Sequence, residues 1–357
     1  MKRNQRPALY GALIMALSAS VLASAAYAQN PPGASAGEPD ARTCSTQNGL
    51  KICVFPGPSG SAGSYGLGAG VGKLWVTSPA LNEICTFSPK GVATCYALPV
   101  ADAKPEGIAL GPDKRMWFTE WNTTSVGAIT GKGVVTEYTL GSSMATVIVA
   151  TSKDLWVSTD YDGICKITIK GAVACYTLPG GQNDAQPTGM TVDSDGSVWF
   201  IEWNGVCSIG GGSYNSIGKI TPGGVVTTYD VGLHGNSVYG IAAGPDGRIW
   251  FTDPGGCDGY TSRIGAIEED GSSYTYYSAG LPAEVATIVN GADGNLYFGS
   301  LTANQMGRIT TAGVATVWTI PAISDPPFVV DDMAVGPDKN IWFVDSSGNY
   351  VGVLYLE

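Results

Sequence analysis

The chain has 357 residues, with 19 Lys plus Arg against 30 Asp plus Glu, a formal net charge of −11. So acidic a surface is a poor partner for nucleic acid. Fifty glycines alongside 10% aromatics describe many tight turns joining short strands, not a disordered chain.

The first 28 residues read as an export signal. Lys2, Arg3 and Arg6 form a basic start, an apolar stretch from Ala8 to about Ala23 follows, and Ala26-Tyr27-Ala28 has the small-x-small pattern of a cleavage site. Cleavage there would remove three positive charges. Residues 29–42 hold three Pro and two Gly and read as a flexible lead-in. No other apolar run is long enough to span a bilayer, so no membrane contact is expected after cleavage. The mature protein is expected in a periplasm or outside the cell, and nothing marks an oligomerisation surface, so a monomer is expected.

Eight cysteines in an exported chain point to disulfides. Cys44 and Cys53 flank Gln47-Asn48-Gly49, Cys85 and Cys95 flank Ser88-Pro89-Lys90-Gly91, and Cys165 and Cys175 flank Ile169-Lys170-Gly171. Each pair can face across a hairpin at bridging distance. Cys207 and Cys257 follow the anchors of adjacent repeats and form the fourth candidate pair. A thiolate metal site is the rival, disfavoured by the absence of a CxxC and the presence of one His.

From residue 43 onward the chain repeats. Trp75, Trp117, Trp156, Trp199, Trp250, Tyr297 and Trp342 each follow a turn, spaced by 42, 39, 43, 51, 47 and 45 residues. A period of this size marks a repeat architecture. Within a unit, four short runs alternate with Asp-Gly or Gly-Gly turns, as in 189–192, 198–201, 216–220 and 225–229. No stretch of residues 43–357 has helical periodicity. Four antiparallel strands per 40–50 residues describe a propeller blade, so residues 43–357 are expected to form one all-β, seven-bladed propeller. The C-terminus stops after a third strand at Val351 to Leu356. The segment Leu50 to Phe55 reads as the missing fourth strand, and pairing the two closes the ring and removes two open edges.

The aromatic anchors are read as packing between blades. Asp113, Asp195, Asp246, Asp293 and Asp338 are read as turn residues on the face opposite any site. Ligands are expected at the axial mouth, where two positions per blade point. One ring of positions begins the first strands: Tyr65, Glu106, Ala145, Thr188, Tyr239, Ala286 and Asp331. The other lies three residues after each anchor: Ser78, Glu120, Thr159, Glu202, Asp253, Ser300 and Asp345. Carboxylates crowded round one channel repel unless a cation intervenes, so Glu106, Glu120, Glu202, Asp253 and Asp345 are candidate ligands of Mg²⁺ or Ca²⁺. The alternative is that each carboxylate is satisfied by backbone amides or water. Tyr65, Tyr239, Trp121, Trp203 and Thr188 are candidate contacts for a small-molecule or peptide-like ligand. His234, the sole histidine, lies in a mouth-side loop, either as a general base or as a solvated loop residue.

The repeated phrase Pro105-Glu106-Gly107-Ile108, Gly111-Pro112-Asp113, Met116-Trp117-Phe118-Thr119-Glu120, Val126-Gly127-Ala128-Ile129-Thr130 resembles the streptogramin B lyase (virginiamycin B lyase) family, and returns in 244–252. The resemblance covers nearly all of residues 43–357. It implies opening of a cyclic depsipeptide by elimination, with a His at the last blade's first strand taking the proton α to the ester carbonyl and Mg²⁺ held by glutamates. By that resemblance Tyr65 matches a mouth tyrosine. The base position falls on Asp331, a second histidine position on Ala286, and the metal-holding glutamates near Val329 and Ser346. Three readings follow. The first is a binding propeller without the histidine chemistry. The second is a lyase with a rearranged site, in which Asp331 is the base. The third is a metal-dependent lactone or ester hydrolase.

Overall fold

The computed structural model describes residues 42–58, 66–88, 91–141, 143–160, 163–179, 186–203, 215–233, 240–255, 261–321 and 328–356. The expected leader, most of the lead-in, Tyr65, His234, Tyr239, Cys207 and Cys257 lie outside the described residues. Among the described residues no helix is long and apolar enough to cross a membrane.

The described chain forms seven antiparallel sheets, six of four strands and one of five. Blade 1 runs from Leu67 to Ala97, blade 2 from Pro105 to Thr139, blade 3 from Ala145 to Tyr176, blade 4 from Gln186 to Leu233, blade 5 from Ile241 to Tyr277 and blade 6 from Val285 to Thr319. In the seventh blade, strands Asp332–Val335, Ile341–Asp345 and Tyr350–Tyr355 are joined by Leu50–Pro56, with Cys53 opposite Val353. The expected closure is therefore present. A fifth strand, Thr43–Gln47, extends this blade as the hairpin that the Cys44 and Cys53 spacing suggests. The first strands of successive blades touch one another in order, and the seventh touches the first, so they line the axis of a closed ring.

Three kinds of contact recur between neighbouring blades. At the inner end, a hydroxyl two residues after the anchor bridges two first strands. Thr119 accepts from Gly107 N at 2.9 Å and donates to Thr146 O of the next blade at 2.8 Å. Thr77 and Thr252 repeat both bonds. In the middle, the anchor indoles of blades 1 to 5 are each buried against a tyrosine of their own outer strand, as in Trp117 on Tyr138 with centroids 4.7 Å apart, and Trp342 of the last blade stacks on Phe55. The tyrosine ring in turn lies against a glycine in the next blade's outer hairpin. A Cβ at Gly133, which sits at φ +85°, would come within 2.1 Å of Tyr96. At the far end, a cation covers the indole and reaches a carbonyl of the next blade. Arg115 sits over Trp117 and donates to Ile169 O, and Arg248 sits over Trp250 and donates to Thr311 O.

The turn aspartates are structural. Asp113, Asp246 and Asp338 accept from the indole N–H of Trp117, Trp250 and Trp342 at 3.0–3.1 Å, and Asp293 accepts from the Tyr297 hydroxyl. In blade 4 the indole of Trp199 uses Asp193 instead, while Asp195 caps Ser197 N. Cys44–Cys53, Cys85–Cys95 and Cys165–Cys175 are bridged as the hairpin spacing predicts.

Candidate functional site

The axial mouth is formed where first strands begin and second strands end. The first strands of blades 2, 3, 4 and 6 all change register at that point, between Pro105 and Ile108, Ala145 and Ile148, Pro187 and Gly189, and Val285 and Thr287. A β-bulge adds a residue to one strand and re-aims the side chains beside it. This repeated irregularity is invisible to an alternation pattern that assumes a strict period of two.

The two rings of mouth positions behave differently. In the first ring Glu106, Thr188 and Asp331 are half-buried, while Ala145 and Ala286 are buried. In the second ring every member is sealed. Ser78, Glu120, Thr159, Glu202, Asp253, Ser300 and Asp345 are each no more than 4% exposed. The cause is local. A second strand is flanked on both sides, and its last side chain turns back to cap the loop that follows.

Each second-ring acid has its own partner. Asp253 is paired with Arg263 at 2.8 Å, and that guanidinium also donates to Gly232 O and covers the Tyr276 ring. Asp345 accepts from Ser347 N, Ser347 Oγ and Gly348 N at 2.9, 2.6 and 3.1 Å, though burial still raises its carboxyl. Glu202 accepts from Ser216 Oγ. Glu120 accepts from Thr123 Oγ1 at 2.8 Å and faces Glu137, whose carboxyl is pushed up to about 8 by burial and by Glu120 itself. The five candidate cation ligands are thus not brought together. Only Glu106 among them stands on the first ring.

The first-ring acids are tuned toward neutrality. Burial pushes Glu106 to about 7. Asp331 also lies at about 7, chiefly through burial, with the charges of Asp345 and Asp332 adding to the rise and the Ser346 donors opposing it. Ser346 N donates to Asp331 Oδ2 at 2.6 Å. Beside it, Asp332 accepts from Leu67 N of blade 1 and from its neighbour Met333 N, both at 2.8 Å, and burial again raises its carboxyl to about 7. Asp332 therefore ties the last blade to the first across the seam. Sequence reasoning placed it on neither ring, and missed Thr77, Thr119 and Thr252 as links between blades. The available signal was a Thr two residues after an anchor, paired with Gly66, Gly107 or Gly240 at or just before the first strand.

Trp121 opens the loop after Glu120, half-buried, with the Lys104 ammonium 5.7 Å from its ring centroid. Trp203 ends the second strand of blade 4, also half-buried. Both stand where a second strand ends, at the mouth end of their blades.

A Mg²⁺ ion asks for about six oxygens in an octahedron at roughly 2.0–2.1 Å. Among the described residues no three carboxylates converge within ligating reach; the one convergent group, Glu83, Cys85 and Cys95, lies in the outer part of blade 1. At the last blade Asp332 uses both oxygens, Asp331 its Oδ2 and Asp345 its Oδ1 to accept from N–H and O–H donors, while Asp345 Oδ2 is buried without such a donor. The described residues do not fit a resident Mg²⁺ there.

Comparison with known proteins agrees with this architecture. The Virginiamycin B lyase family model matches residues 45–211 and 208–357. A virginiamycin B lyase of Nocardia farcinica is 25% identical over 200 residues, which cover 56% of this chain and 61% of that protein, so the match spans about three-fifths of the relative. The crystal structure of selenomethionine-substituted virginiamycin B lyase from Staphylococcus aureus is 27% identical, with a TM-score of 0.74 over 86% of this chain and all of that one. A catalytically inactive histidine-to-alanine variant of the Staphylococcus aureus enzyme, crystallised with quinupristin, matches equally well. Propeller, split last blade and matched span agree, and the chain belongs to the virginiamycin B lyase family.

Proposed function

We propose that this chain binds a small cyclic or peptide-like ligand at the axial mouth, on Glu106, Thr188 and Asp331, with Trp121 and Trp203 at the rim. One observation carries the reading: the first ring is open to the channel while the second is sealed, so only first-ring side chains can touch a ligand. Carboxyls near neutrality can meet ester and amide carbonyls as donors in their acid form. The quinupristin complex of the Staphylococcus aureus relative supports a depsipeptide as the first ligand to try.

A second reading is favoured by one specific feature. Asp331 occupies the position that the family resemblance gives to the base, and its carboxyl lies at about 7. A base is most effective when its pKa is close to the working pH. In this reading the Asp331 carboxylate takes a proton from the carbon next to the ester's alkoxy carbon, a carbon–carbon double bond forms as the alkoxy carbon–oxygen bond breaks, and the ester leaves as its carboxylate.

Mass spectrometry and calorimetry with quinupristin separate the readings. Binding with an intact ring supports the binder. Ring opening without a change in mass supports elimination, and a product heavier by one water means hydrolysis. Absence of both binding and turnover removes the proposed site. Asp331→Asn should keep binding and lose any turnover.

Export is part of the same proposal, supported by three disulfides of a kind that persist in oxidising compartments. Amino-terminal sequencing of the exported fraction should begin near Gln29.

A further inference from the structure

The Cys85–Cys95 bridge differs from the other two in what lies beside it. Cys85 sits on the third strand of blade 1, Glu83–Phe87, directly opposite Cys95 on the outer strand Ala93–Ala97. Glu83 is two residues before Cys85 and so projects from the same face of the sheet. Across from Glu83 is Ala97, which offers no side-chain donor. One carboxylate oxygen of Glu83 and the two sulfurs lie within 4.8 Å of one another, the only such group of three among the described residues. The position equivalent to Glu83 beside Cys165 is Gly163, and beside Cys53 it is Lys51, so neither of those pairs has an acid in the same place.

We propose that the outer part of blade 1 is a redox-gated site for a borderline-soft divalent cation such as Zn²⁺, held by the Cys85 and Cys95 thiolates and the Glu83 carboxylate. In the oxidised chain the sulfurs are bonded to each other and offer no thiolate. A dithiol reductant supplies two electrons and two protons, leaving as its cyclic disulfide, and Cys85 and Cys95 become thiols. The cation then displaces both thiol protons to solvent. Two sulfurs and one oxygen suit Zn²⁺, Co²⁺ or Cd²⁺ in tetrahedral geometry with water at the fourth position, and disfavour Mg²⁺ or Ca²⁺. Metal–ligand bonds of about 2.0–2.3 Å need ligand atoms closer than 4.8 Å, which side-chain rotation on adjacent strands supplies. Cys95 is exposed and Cys85 buried, so the ion enters from the Cys95 side. The outer strand of blade 1 is thereby stapled in either redox state, by a disulfide in an oxidising compartment and by a cation in a reducing one.

The test uses the full chain, reduced with dithiothreitol, freed of it under argon and titrated with Co²⁺. One equivalent should produce sulfur-to-cobalt charge-transfer absorption and tetrahedral visible bands. Cys95→Ser should abolish the signal and Glu83→Gln should weaken binding by about tenfold or more. Cys175→Ser and Cys44→Ser should leave it unchanged. A second readout maps alkylation of the reduced chain in Zn²⁺, where Cys95 should be protected and Cys175 should not. Equal binding by the oxidised chain, persistence of the bands in Cys95→Ser, no loss in Glu83→Gln, or equal alkylation of Cys95 and Cys175 would each overturn the proposal.

Discussion

At the scale of single residues the blades obey a size rule. Where the residue after the anchor is Phe, its cross-strand partner is Gly, as in Phe118 with Gly127, Phe200 with Gly218 and Phe251 with Gly265. Where it is Val, the partner is a bridged Cys, as in Val76 with Cys85 and Val157 with Cys165. A Cβ at Gly218 would stand 2.1 Å from the Phe200 ring, so the ring needs the missing side chain. Gly218→Ala should destabilise the protein by about 1–3 kcal/mol, and Phe200→Val in the same chain should recover part of that loss in a denaturation cycle. The Glu120–Glu137 pair makes a prediction about pH. Glu137 stands opposite Gly127, itself opposite Phe118, so its carboxyl lies on the face that Glu120 shares. Its folded value of about 8 lies above the ordinary 4.5, so the folded chain holds that proton more tightly. The associated stability is complete below about pH 4.5 and is lost as pH rises toward 8. Glu106, Asp331 and Asp332 act in the same direction at about 7. The melting temperature should fall between pH 5 and pH 8, with a shallower fall in Glu137→Gln, whose amide donates to Glu120 without needing a proton.

At the scale of elements, the turn between first and second strands acts as a lock. Asp246 accepts from Trp250 Nε1, Arg248 Nε and Arg248 N, so one carboxylate holds the indole, the cation above it and the turn. Asp246→Ala leaves a buried indole N–H without an acceptor and should cost about 1–3 kcal/mol by chemical denaturation. Much of this was legible, because Gly-Pro-Asp before an anchor is turn chemistry with a known mechanism. The hydroxyl clips were not, because Thr119 reads as an ordinary strand residue until the first strand of the next blade is seen to offer Thr146 O. For the same reason the second ring looked like a channel lining. Glu202 and Asp253 recur at the right spacing, yet spacing does not say that Ser216 and Arg263 already occupy them.

At the scale of the whole molecule, closure rests on the seam between blades 7 and 1. The strand Leu50–Pro56 covers Val351, Val353 and Leu354, all fully buried, and Asp332 reaches Leu67 N across the same seam. Removing residues 43–56 should leave that blade open at the edge. The expected outcome is loss of the cooperative melt and higher-order species on size exclusion.

The sequence by itself determined the number of blades, the pairing of the two ends, the hairpin disulfides of the described chain and the role of the turn aspartates. All of these follow from short-range periodicity and turn chemistry, which a linear chain records. Only the tertiary structure decided which acids face the channel. Whether a carboxylate meets solvent, an N–H or an arginine depends on residues from other strands and blades, and on bulges that shift the register where the strands meet the mouth.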